Sequence, residues 1–139
     1  MKSKRILSIV LALCLCVGLL PAVALGASAI TICGETWATS TYAKTVNGQV
    51  VTDASAEDYN LYWNADEAVL TLQNASLDVQ DLAAIDAQLE LLTLHLIGSS
   101  TITSSKTQAS TDDAVVSSSK DLIITGADSS ASLTIKRCV

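Results

Sequence analysis

The chain has 139 residues, half of them hydrophobic and 4% aromatic, with 8 basic against 14 acidic side chains and a formal charge of −6. Three of the basic residues fall within the first five positions, so the rest of the chain carries 5 against 14, or −9. Such an acidic surface argues against nucleic acid and anionic lipid as partners, because both draw in clustered Lys and Arg.

The N-terminus has the order of a secretory signal peptide. Lys2, Lys4 and Arg5 precede an apolar run over 6–20, Pro21 breaks it, and small residues dominate 22–29. This reading makes 1–29 a signal-peptide helix removed on export, with cleavage after Ala24, Gly26 or Ala29 and the last favoured. An uncleaved anchor is the alternative, but the run is short for a bilayer span of about 20 residues. A lipoprotein anchor fits less well, since Cys14 and Cys16 both follow leucine. The remainder, 30–139, suffices for one domain. It has no Phe and is rich in Ser, Thr, Leu and Ile, which favours strands over a helix bundle.

From residue 30 the chain reads as strands and turns. Ile-Thr-Ile-Cys at 30–33 alternates and stops at Gly34. Asn47-Gly48 sits between β-branched residues over 45–51, a strong hairpin signal. Residues 53–58 make one helical turn or a loop, 59–63 an aromatic strand, 64–67 a turn, and 69–72 a further strand.

The central feature is an internal repeat. Ala84-Ile85 precedes Leu92-Thr93-Leu94, and Ala114-Val115 precedes Leu122-Ile123-Ile124, with the two units 30 residues apart. Leu70-Thr71-Leu72 lies 22 residues before Leu92. Each strand meets a turn signal (Asn74, Gly98, Gly126) and then a second apolar stretch around Leu77, Ile102, or Leu133 with Ile135. Short strands at this spacing predict a solenoid whose units bury their leucines only against one another. Alternation then points Leu70, Leu72, Leu92 and Leu94 inward, and Thr71, Gln73, Thr93 and His95 outward. With rungs about 4.8 Å apart, the two cysteines of the exported part, Cys33 and Cys138, lie roughly 15–19 Å apart. That is beyond the reach of about 7 Å for a disulfide, so they are expected to be unpaired.

The run Leu70-Thr71-Leu72-Gln73-Asn74-Ala75-Ser76-Leu77, preceded by Tyr62-Trp63-Asn64, resembles the opening motif of a secreted bacterial carbohydrate-binding β-helix family. Residues 92–102, and 122–126 with 132–135, resemble that family's later rungs. The likeness spans roughly 30–135. It implies an all-β fold: a right-handed, single-stranded parallel β-helix like that of pectate lyases, but used for binding. About three to four rungs follow an N-terminal hairpin cap. It also implies plant or cell-wall polysaccharide as partner, with calcium in some members. The last strand runs directly into Lys136-Arg137-Cys138-Val139 without a further rung, so the domain over 30–139 reads as incomplete. An uncovered solenoid end invites self-association.

Candidate chemistry is sparse. His95 is the sole histidine, no G-x-S-x-G segment occurs, and neither Cys33 nor Cys138 has a histidine motif nearby. The expectation is therefore a non-catalytic protein. Asp112-Asp113, after the Ser/Thr-rich stretch 103–111, offers oxygen ligands to calcium or is a solvated turn. Tyr59, Tyr62 and Trp63 offer flat rings for sugar contact or plug the N-terminal end of the coil. His95 completes the weak carbohydrate set as an outward residue. The leading expectation is an extracellular polysaccharide-binding or adhesion module. A surface spacer or stalk is the alternative, and a polysaccharide lyase fragment follows behind it. A lyase needs clustered acidic calcium ligands with an Arg or Lys base on one face, and Arg137, the only arginine beyond the leader, lies in the final segment.

Overall fold

Turns with positive φ set the direction of the first half of the chain. Cys33 (49°) and Gly34 (87°) reverse β1 (Ile30–Ile32) into β2 (Glu35–Trp37). Asn47 (53°) and Gly48 (83°) do the same between β3 (Thr41–Val46) and β4 (Gln49–Val51). Two consecutive positive φ values give a turn whose twist matches that of antiparallel strands. Ala68 (53°) closes the reversal from β5 (Leu61–Asn64) to β6 (Val69–Gln73). There Asn64 Oδ1 accepts the backbone N–H groups of Asp66 and Glu67 at 3.2 and 3.3 Å, an Asx turn. The computed structural model describes residues 28–80, 83–105 and 115–138.

After β6 the chain changes character. β7 (Ser76–Gln80), β8 (Ile85–Ala87), β9 (Leu91–Ile97), β10 (Ser99–Ser105), β11 (Val116–Ser118), β12 (Asp121–Gly126) and β13 (Ser132–Cys138) complete the order. They assemble with the earlier strands into three sheets, ordered β11-β8-β1-β2, β13-β10-β7 and β12-β9-β6-β5-β3-β4. The pairs β6–β9, β9–β12, β7–β10, β10–β13 and β8–β11 are parallel. The pairs β1–β2, β1–β8, β3–β4, β3–β5 and β5–β6 are antiparallel.

This corrects the expected single-stranded parallel β-helix. The fold is all-β, but its sheets mix antiparallel and parallel pairing and do not close into a solenoid. The physical cause lies in the positive-φ turns, which fold β1 to β5 back on themselves. These strands join the same sheets as their parallel neighbours and do not stand apart as a cap. The repeat register is corrected as well. Leu70 faces Leu94 and Leu72 faces Leu96, two residues on from the Leu70–Leu92 equivalence. A slip of two leaves the inward leucines inward, whereas a slip of one would have turned them out. Farther along, Leu92 faces Leu122 and Leu94 faces Ile124, as the 30-residue offset requires.

The core lies between the sheets. Leu70, Leu72, Leu92 and Leu94 come from the six-stranded sheet, Leu77 and Ile102 from the three-stranded sheet, and Ile30, Ile32 and Ile85 from the four-stranded one. Burying each such side chain contributes about 1.5–3 kcal/mol. Trp63 is fully buried among them, and its Nε1 donates to the Ser28 carbonyl at 3.0 Å. Ser28 belongs to the expected leader, of which residues 1–27 lie outside the described residues. Cys33 is half-buried, Cys138 is exposed, and both thiols are free.

Candidate functional site

One line of residues crosses the outer face of the six-stranded sheet. Register places Tyr42 opposite Tyr62, Tyr62 opposite Thr71, Thr71 opposite His95, and His95 opposite Thr125. The five side chains therefore stand side by side on β3, β5, β6, β9 and β12, with neighbouring strands about 4.8 Å apart; Thr71, expected to face solvent, is buried within the line. The adjacent inward line, Trp63–Leu70–Leu94–Ile124, runs beneath.

Tyr59, Tyr62 and Tyr42 gather at one end of the outer line. The Tyr42 and Tyr62 rings stack with centroids 4.2 Å apart and planes 17° apart. Tyr59 meets Tyr42 at 5.3 Å, tilted by 56°, and Tyr62 edge-on at 6.0 Å. All three rings are half-buried, so each keeps part of its surface in solvent. The Tyr62 phenol is pushed up from its ordinary pKa by burial first, and then by the Tyr42 phenol beside it.

Asn60 and an ion pair hold the cluster in place. Asn60 Oδ1 accepts the Thr45 backbone N–H at 3.2 Å, and its Nδ2 donates to the Gln73 carbonyl at 3.0 Å. That one side chain ties β3 to β6 and fixes Tyr59 beside β5. The segment ahead of Tyr59 is anchored by the ion pair between Lys44 and Asp58, while Asp58 Oδ1 also accepts the Ser55 N–H at 2.8 Å. The Lys44 ammonium, then the Ser55 donors, hold the Asp58 carboxyl down to about 2. At the far end of the line, His95 Nδ1 and Thr125 Oγ1 lie 3.1 Å apart.

The structure thus brings together three of the four candidates from the sequence. Tyr59 and Tyr62 share the cluster, and His95 continues their line. Trp63, next in sequence to Tyr62, points to the opposite face and offers solvent no surface. Period-two alternation separates these neighbours in the sequence itself. Tyr42 was missed, because its importance depends on the β3–β5 register across 20 residues. The calcium candidates Asp112 and Asp113 lie outside the described residues. Among the described residues no three His, Cys, Asp or Glu side chains gather as a metal site.

A recess of about 300 Å³ lies where edge strands of the three sheets approach, walled by Cys33, Glu35, Gln49, Asp78 and Gln80 with two valines. Burial, then the Glu35 charge, pushes the Cys33 thiol up to about 11. It is therefore protonated at neutral pH and a poor nucleophile.

The chain matches no family model, and no match to it was found among the curated proteins or the solved structures.

Proposed function

We propose that the protein is a non-catalytic extracellular module that binds or adheres to a polysaccharide of plant or cell-wall type. Export by its leader places it there. The observation that carries the reading is the half-buried tyrosine trio heading a line of threonine and imidazole groups on one sheet face. Tyrosine joins an apolar ring to a polar hydroxyl, a pairing suited to the C–H faces and hydroxyls of a pyranose. His95 and Thr125 extend the polar partners in one direction beyond the buried Thr71, so a linear glycan lying across the strands meets the tyrosines and then these two groups.

Retention of the secreted protein on insoluble pectin, cellulose and peptidoglycan, with and without chelator, tests this. Retention on at least one, lost on Tyr62→Ala with the fold intact by circular dichroism, is the expected outcome. Background retention on all three refutes it.

The face-to-face stacking of Tyr42 on Tyr62 favours a second reading, a surface spacer in which the rings stiffen the β3–β5 pair. On that reading Tyr62→Ala lowers the melting temperature, and glycan retention is at background before and after the change.

A further inference from the structure

Among the described residues β11, β12 and β13 are the outermost strands of the three sheets, and an outermost strand leaves one row of backbone donors and acceptors unpaired. In β12 the phase of that row is fixed by its two ends. The Asp121 N–H donates to the Glu90 carbonyl at 3.0 Å, and the Ala127 N–H to the Leu96 carbonyl at 2.8 Å. Odd-numbered residues therefore bond inward to β9, and Leu122, Ile124 and Gly126 aim their N–H and C=O groups away from the sheet. The side chains of Leu122 and Ile124 stand in register with the buried Leu92 and Leu94, yet both are exposed. An open edge lined by bare aliphatic groups is a template for another strand.

We infer that a second copy of this chain covers this edge, its β12 lying antiparallel to the first about a twofold axis at Ile124. Backbone parity fits that axis. An antiparallel pair exchanges two hydrogen bonds between residues whose polar groups both face the partner. Ile124 does so with Ile124 of the second copy, and Leu122 does so with Gly126 of the second copy. The side chains fit as well, since the rotation sets the two Ile124 groups against each other and removes both from water.

Charge gives the argument for a copy over an unrelated strand. Lys120 immediately precedes β12 and Asp128 opens the turn after it, so the same rotation brings Lys120 to the end of the contact where Asp128 of the second copy lies, and Asp128 to the second copy's Lys120. Both are exposed, and Lys120 pairs with Glu90 on its own chain from that position. The hydroxyl and N–H of Ser130 hold the Asp128 carboxyl below the usual carboxylate range, so it is ionised at neutral pH. A twofold contact repeats each pairing, and a strand with a base before it and an acid after it is complementary to itself only when antiparallel. This inference is independent of glycan binding.

Size-exclusion chromatography with light scattering on the full exported chain tests it. The expected result is twice the chain mass at high micromolar concentration. Ile124→Lys sets two ammonium groups together on the axis and should return the single-chain mass with unchanged circular dichroism. Lys120→Asp should weaken the dimer about tenfold by opposing like charges, and adding Asp128→Lys should restore it. A single-chain mass at every concentration, a dimer indifferent to Ile124→Lys, a double exchange that fails to restore, or assembly beyond two chains each overturns the inference.

Discussion

The layer formed by β8, β9 and β10 and the layer formed by β11, β12 and β13 carry the same pattern in the same register and meet opposite fates. Leu92, Leu94 and Ile102 are 0%, 0% and 1% exposed, while their counterparts Leu122, Ile124 and Ile135 are 41%, 53% and 48% exposed. Residue type does not explain this, since leucine and isoleucine occupy both sets. The inner layer has strands on both sides and the outer layer on one. Burial in a stacked sheet is thus a property of neighbours, and the outer layer leaves in solvent the apolar surface that the inner layer buries.

The largest expected contrast is in stability. Leu94→Ala opens a cavity in a fully packed position and should cost about 2–5 kcal/mol. Ile124→Ala, measured on the separated chain, should cost about 1 kcal/mol or less, because half its area is already in water. Thermal unfolding of the two variants checks this, and equal losses would break the comparison.

A second pair of substitutions sharpens it at the turns. Gly98 has φ +66°, and a Cβ there would lie 2.1 Å from Asn74 Oδ1, which accepts the Ser99 N–H at 3.0 Å. Gly98→Ala should cost about 1–3 kcal/mol through strain and the displaced acceptor. Gly126, the last residue of β12 and opposite Leu96, is not among the positive-φ glycines. A Cβ there meets the Ala131 methyl at 2.8 Å, in a turn packed on one side only. Gly126→Ala should cost less, as denaturant midpoints will report.

Along the outer line the effects are expected to be graded. Tyr62→Ala should weaken glycan retention about tenfold, or about 1.4 kcal/mol, and His95→Ala by less, because His95 lies two strands away from β5. An equal loss from both would move the centre of binding off the tyrosine cluster. The smallest effect belongs to Lys44 and Asp58. The folded state holds the Asp58 carboxyl at about 2, below its ordinary 3.8. Its contribution is therefore complete above about pH 3.8 and lost as pH falls through about 2. Asp58→Asn should abolish that step in an acid titration of tyrosine fluorescence.

Much of the inner layer was legible in the sequence, because alternation of leucine with threonine reports which face of a strand is buried. The 30-residue offset also gave the β9–β12 register. Loop length hid the β6–β9 register, where a two-residue slip leaves every leucine inward. The antiparallel half was harder to read. Asn47-Gly48 announces its hairpin, but Cys33 and Ala68 adopt positive φ without a residue type that favours it. Buried Ala43, Ala65 and Ala84 carry little hydrophobic signal despite lining the core. At the candidate site, Tyr59, Tyr62 and His95 were identifiable as outward or aromatic residues. Tyr42 was not, since nothing local in Thr-Tyr-Ala-Lys-Thr-Val tells which strand it faces.

Amide hydrogen exchange along β9 and β12 at several protein concentrations tests most directly whether the two layers differ only in what covers them. Thr93 N–H, bonded to the Ala68 carbonyl at 3.1 Å, should be protected at every concentration. Ile124 N–H should exchange at nearly the open-chain rate in dilute protein and slow as concentration rises and a second copy covers it. An Ile124 amide that exchanges equally fast at all concentrations would contradict the proposed covering, and a Thr93 amide as fast as Ile124 would contradict the layered packing itself.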